Sequence, residues 1–109
     1  MIIKKPSIFI YTCQADSRIL KEICAGIEEE GVFFEVTEQD EEDIDLLAWQ
    51  AANDSMPGSG IGICRTTAAF QMRGLEKGRN VERCQNPARE QSRKLGADSA
   101  RAVKKQAFK

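Results

Sequence analysis

The sequence contains no histidine. That absence excludes imidazole acid/base catalysis, zinc ligation by imidazole and any Ser-His or Cys-His nucleophile built within this polypeptide. Cysteine is present but unclustered: Cys13, Cys24, Cys64 and Cys84 show no C-x-x-C spacing, which argues for free cytosolic thiols over a zinc site or a redox pair. Charge of one sign is lacking too. Sixteen Lys and Arg against seventeen Asp and Glu leave a formal net charge of -1, so no field draws in nucleic acid or an anionic membrane surface. No apolar run approaches the length that spans a bilayer, and "MIIKKPSIFIYTC" has neither the apolar core nor the cleavage site of a secretory signal. A cytoplasmic protein without nucleic-acid or membrane partners is expected.

What is there suffices for one domain. A chain of 109 residues can bury one modest core. "SIFIYTC" is β-branched, aromatic and mostly apolar, as a buried strand requires. Asp16 then offers an N-cap for a helix from about Ser17 to Glu30. Ile19, Leu20, Ile23, Cys24 and Ile27 share an arc of roughly 140° on that helix, at about 100° per residue. "VFFEVTE" reads as a second strand, and a second helix follows near Ile44–Asn53, with Ile44, Leu47, Ala48 and Ala51 on its apolar face. "GIGICRT" and "AAFQMR" read as two strands joined by a tight turn, and "RNVERC" as a weaker third. Asn86 as N-cap and Pro87 at the first helical position open a last helix, in which Ala88, Ser92, Leu95, Ser99 and Ala102 follow a four-three spacing. The order β-α-β-α-β-β-β-α predicts an α/β three-layer sandwich, a mixed sheet with helices on both faces.

The stretch "CAGIEEEGVFFEVTE" poses a physical question. Glu28, Glu29 and Glu30 precede a helix-stopping glycine, where unpaired carbonyls already carry partial negative charge and each added carboxylate costs about 0.3–1 kcal/mol. On the helical projection Glu29 lies farthest from the core. Glu22 and Gly26 share its outer stripe, with Arg18 and Ala25 beside them, and the small residues would let another backbone approach. Two readings stand: a solvated face, or a contact surface on which a carboxylate meets a hard cation such as magnesium. Such a metal site would be incomplete within this chain and would need a partner to finish it.

Leu46 and Trp49 project away from the apolar face of the second helix. Trp49, the only tryptophan, reads either as an interface anchor or as a cover over the core edge. Cys13 ends the first strand ahead of a helix N-terminus, a location that can lower a thiol's pKa, so a small thiol enzyme is a further alternative. Yet "CQADSR" has no glycine to turn amides inward and carries Asp16 where an anion would sit. "GSGIG" is too short, and precedes a strand, so it is no dinucleotide fingerprint.

"CAGIEEEGVFFEV", "AWQAANDSMPGSGIGI" and "KLGADSARAVKK" together resemble, in order and spacing, the small subunit of the reactivating factor for cobalamin-dependent diol and glycerol dehydratases. That family also takes in the dehydratase medium subunit. The resemblance implies a non-catalytic subunit. Its partner would be a large chaperone-like ATPase subunit, in a heterotetramer of two large and two small subunits. It also implies transient contact with the dehydratase large subunit, and exchange with the medium subunit that releases damaged cobalamin. It implies a five-stranded sheet with one antiparallel strand, similar to the anticodon-binding-domain-like architecture. It makes Glu29 a ligand of magnesium at the interface with the ATPase subunit; Glu28 and Glu30 keep the solvated reading that spacing gives them, and the helical projections leave Arg18, Glu22, Ala25, Gly26, Leu46 and Trp49 as partner-interface residues. A cytoplasmic setting is implied, with housing in a bacterial microcompartment left open. "LEKGRN", "LGAD" and the ending "KKQAFK" depart from the family's pattern. Dehydratase medium subunits commonly carry a long N-terminal extension ahead of this domain, and its expected absence here favours the reactivase subunit over the alternative, a free-standing medium subunit.

Overall fold

The computed structural model describes residues 6–107; the first five residues and the end of "KKQAFK" lie outside them. The elements follow the expected order: β1 (Ser7–Cys13), α1 (Ser17–Glu29), β2 (Phe33–Glu38), α2 (Ile44–Asp54), β3 (Ser59–Cys64), β4 (Thr67–Met72), β5 (Glu82–Gln85) and α3 (Arg89–Ala107). They form one five-stranded sheet of order β2-β1-β3-β4-β5. β1 pairs in parallel with β2 and β3, while β4 runs antiparallel to both β3 and β5. β4 is thus the single reversed strand. Its tight connection to β3 spans Arg65 and Thr66, with Arg65 at φ 53.

Strand alternation divides the core in two. Ile8, Ile10, Ile61, Ile63, Ala68 and Phe70 point to one face, where Ile19, Ile23 and Ile27 of α1 and Leu95 and Ala100 of α3 cover them. Cys13, Cys64 and Ala69 point to the other, under Ile44, Leu47 and Ala48 of α2. The result is the three-layer sandwich, α1 and α3 on one side and α2 alone on the other.

"SGIGIC" owes its pattern to this division. Ile61 and Ile63 fill the larger core, and the glycines between them face α2. A Cβ at Gly62 would lie 2.7 Å from the Ala48 nitrogen, and one at Gly60 would overlap the backbone of Ala51 and Ala52. The glycines serve close helix approach.

Helix ends are closed locally. Asp16 and Asp43 act as N-caps, each carboxylate accepting from two backbone N–H groups of the first turn. α1 stops in a Schellman arrangement: Val32 N–H donates to the Ile27 carbonyl and Gly31 N–H to that of Glu28, with Gly31 at φ +75. The Arg73 guanidinium donates to the carbonyls of Asn53 and Ser55 at the end of α2.

The start of α3 differs from expectation. Asn86 is not its N-cap but a left-handed residue, φ 50, whose N–H donates to the Thr66 carbonyl. The chain needs that turn to leave β5, so the helix begins later. Ala88 takes the cap position, its carbonyl accepting from Ser92 N–H and its own N–H donating to the Gln91 side chain. Ala88 is accordingly exposed. The buried face of α3 carries Ser92, Leu95, Gly96, Ala97, Ser99 and Ala100. It is broader than a four-three line because α3 packs on both the sheet and α1.

Candidate functional site

The acidic end of α1 is shaped by its neighbour. Ile23 lies against Gly96, Gly26 against Arg93 and Ala97, and Glu30 against Arg101 and Lys104. Residue numbers rise together along both helices, so α1 and α3 run parallel, and α3 extends past the end of α1. Cβ atoms at Gly26 and Gly96 would overlap the Arg93 and Ile23 carbonyls, so the two backbones touch. The approach expected at Gly26 from another backbone is therefore made within the chain. Gly26 is buried under α3 and presents nothing to a partner.

Parallel helices place like ends of their dipoles side by side, and the charges offset this. Arg93 donates through Nε and Nη2 to the Glu22 carboxylate, at 3.1 and 2.7 Å, and Arg89 lies 3.5 Å from the same group. Glu30 is held by Lys104 at 2.7 Å and Arg101 at 3.2 Å. Those partners, Lys104 first, hold its carboxyl below the usual range. Glu30 is thus not a solvated carboxylate, as expected from spacing, but a fixed ion-pair member. Much of the negative charge at the end of α1 is answered by cations about seventy positions downstream.

Glu29 is different. Its side chain is 59% exposed, and its nearest cation is Arg93, Nη1 at 3.7 Å. Glu28 is exposed and has no ion-pair partner among the described residues. With Lys21, Cys24, Ala25 and Arg93 these two carboxylates line a shallow depression of about 490 Å³. The Cys24 thiol there is pushed up to about 11, by burial first and then by the charge of Glu28. Among the described residues no group of three or more potential ligands stands close enough to hold a metal ion. Glu29 could contribute one oxygen donor to a site completed elsewhere, which suits magnesium.

The other expected interface residues are distributed over the molecule. Arg18 is exposed, 3.8 Å from Asp16, and with Glu22 and Arg89 it lines a hollow of about 390 Å³ between the starts of α1 and α3. Ala25 is half-buried beside Glu29. Leu46 and Trp49 are half-buried on α2, across the sheet from all of these. A partner that touches both sets has to reach around an edge of the sheet.

Cys13 is buried next to its register partner Cys64, and its thiol is pushed up, by burial first and then by Cys64. A nucleophilic thiol needs the opposite on both counts. The residues that sequence reasoning passed over are Arg93, Arg101 and Lys104. Their signal was a line of cations on α3 of opposite sign to the acids of α1.

A sequence profile of the dehydratase medium subunit family (Dehydratase_MU) matches residues 5–109. The chain belongs to this family. Among solved structures, this family member superposes on a chain of a diol dehydratase-reactivating factor, in a complex with ADP and Mg2+. The TM-score is 0.87 and the identity 26%, over 94% of this chain and 95% of that one. It also superposes on a chain of a glycerol dehydratase reactivase with a TM-score of 0.86 at 25% identity, covering 91% and 92% of the two chains. No curated protein sequence matches it.

Proposed function

We propose that the chain is the small, non-catalytic subunit of a chaperone-like reactivating factor for a cobalamin-dependent diol or glycerol dehydratase. The observation that carries this reading is the end-to-end likeness to chains of two such factors. The site supports it as well. The lack of histidine and the burial of Cys13 are in keeping with a non-catalytic role.

In this reading the outer side of α1 meets the large ATPase subunit in a heterotetramer of two large and two small subunits. Glu29 gives one carboxylate oxygen to a magnesium ion at that boundary. When bound, the ion draws together oxygen ligands from both chains. Arg93, tethered to Glu22, keeps the Glu29 carboxylate turned to the outer side of the α1–α3 layer. Because the small subunit shares its family with the dehydratase medium subunit, it replaces that subunit against the dehydratase large subunit. Damaged cobalamin then leaves, and ATP on the large subunit frees the apoenzyme. The complex acts in the cytoplasm, free or within a microcompartment. No helix among the described residues is long and apolar enough to cross a membrane.

The second reading, a free-standing dehydratase medium subunit, is favoured by the family's own description. Affinity capture of the tagged protein from its native cytoplasm, with ADP and with ATP, separates the two. Recovery of a large ATPase in both, joined by dehydratase subunits mainly under ADP, is the expected result. Stable recovery of dehydratase subunits alone, indifferent to nucleotide, overturns the proposal in favour of the second reading.

A further inference from the structure

Away from the α1 surface, one cluster of carboxyls has no role in the reading above. Glu82 lies on β5, an edge strand of four residues held in the sheet by β4 alone. Its side chain turns toward α3, where it is hydrogen-bonded to Asp98, and only 28% of it is exposed. Two carboxyls can share such a bond only if one of them carries a proton. Lys94 stands over both, 2.8 Å from Asp98 and 3.8 Å from Glu82, and Arg101 is 3.6 Å from the far oxygen of Asp98. β4 places the uncharged Phe70 opposite Glu82. Both cations favour Asp98, which leaves the proton to Glu82. Direction agrees: burial, then the bond to Asp98, pushes Glu82 up to about 7, while that bond, Lys94 and Arg101 hold Asp98 low.

We propose that Glu82 and Asp98 share one proton across the β5–α3 junction, and that its loss loosens the edge strand from the helix. The sign follows from linkage. A carboxyl whose pKa is raised by folding binds its proton more tightly when the junction is closed. Closure therefore weakens as pH rises from the ordinary carboxylate value through the raised one. Deprotonation sets two like charges together, with Lys94 balancing them in part. The exposed Val81, whose N–H donates to the Phe70 carbonyl just ahead of β5, would be released with the strand.

Amide hydrogen exchange of the full-length protein tests this, with rates corrected for the intrinsic pH dependence of exchange. From pH 6 to pH 8, which bracket the raised value of about 7, the opening of β5 should increase by up to about tenfold, while β3 stays unchanged. Glu82→Gln, which keeps a hydrogen-bonding amide without a titrating proton, should abolish that pH dependence. Equal β5 protection at the two pH values, or a dependence that survives in Glu82→Gln, overturns the proposal. Should the variant fail to fold, the carboxyl-carbon NMR titration of Glu82 in the native protein decides. A midpoint above pH 6 supports the shared proton and one below it overturns it.

Discussion

Replacing Gly96 by alanine tests how closely α1 and α3 approach. A new Cβ there would overlap the Ile23 carbonyl and stand 3.1 Å from the Ile23 Cα, with backbone rather than a flexible side chain in its way. The helices must part by on the order of 1 Å to restore ordinary carbon contacts, and a gap of that size forfeits about half of each facing dispersion contact. Overpacking of this kind costs about 1–3 kcal/mol. Alanine's better helix propensity returns about 1 kcal/mol. Because Ile19, Ile23, Ile27 and Leu95 all lie in the affected layer, the loss should fall near the upper end, for a net destabilisation of about 2 kcal/mol. For a domain of this size that lowers Tm by roughly 10 °C, readable by circular dichroism. Gly26→Ala should behave alike, its Cβ meeting the Arg93 carbonyl and standing 3.0 Å from the Ala97 nitrogen. One displacement relieves both overlaps, so the double variant should lose clearly less than the two single losses combined. A Gly96→Ala protein that melts at or above the wild-type temperature would refute backbone contact between the helices.

Glu29→Gln should weaken assembly with the ATPase subunit and its dependence on magnesium; unchanged binding in magnesium and in chelator would remove the metal role. Trp49→Ala should cost assembly more than it costs the melting temperature of the isolated subunit, and the reverse result would assign Trp49 to the core edge. Glu30 has a carboxyl depressed by Lys104 and Arg101, so its stabilisation is present above its ordinary pKa of 4.5 and is lost as pH falls through the depressed value. Glu30→Gln should therefore lower Tm more at pH 7 than near pH 3, as thermal melts at the two pH values will tell. Cys13 should resist alkylation by iodoacetamide in the native protein at neutral pH and react only on unfolding, as mass spectrometry of the labelled chain would reveal.

Element order was legible because each element carries its own local signal. "SIFIYTC" and "VFFEVTE" are β-branched and aromatic, Asp16 stands before a 3.6-residue apolar period, and "SMPGSG" breaks the chain. The sandwich followed from the alternation of types. What local reasoning missed is long-range. Gly26 looked like part of an outer surface because the projection locates the sheet but not a second helix lying beside α1. Glu30 looked solvated because its partners, Arg101 and Lys104, are more than seventy residues away. Asn86 has the chemistry of an N-cap, yet Asn also tolerates the left-handed turn that the exit from β5 demands. The candidate site was legible to the extent that Glu29 points outward. The role of Arg93, which reaches both Glu22 and Glu29, depends on packing that no single segment encodes.

The parallel contact of α1 with α3 also bears on how the chain is made. α1 is synthesised ahead of the other two helices, yet its Ile23–Gly26 flank meets Arg93, Gly96 and Ala97 of the last of them. Until those residues have been released, the flank of α1 has no counterpart and the cation ladder that steadies its acidic end does not exist. Domains dominated by such distant contacts fold late and expose apolar surface meanwhile. A ribosome translating this sequence therefore carries an unfinished domain until α3 emerges, and a nascent chain arrested before Arg93 lacks the contacts that complete the α1–α3 layer.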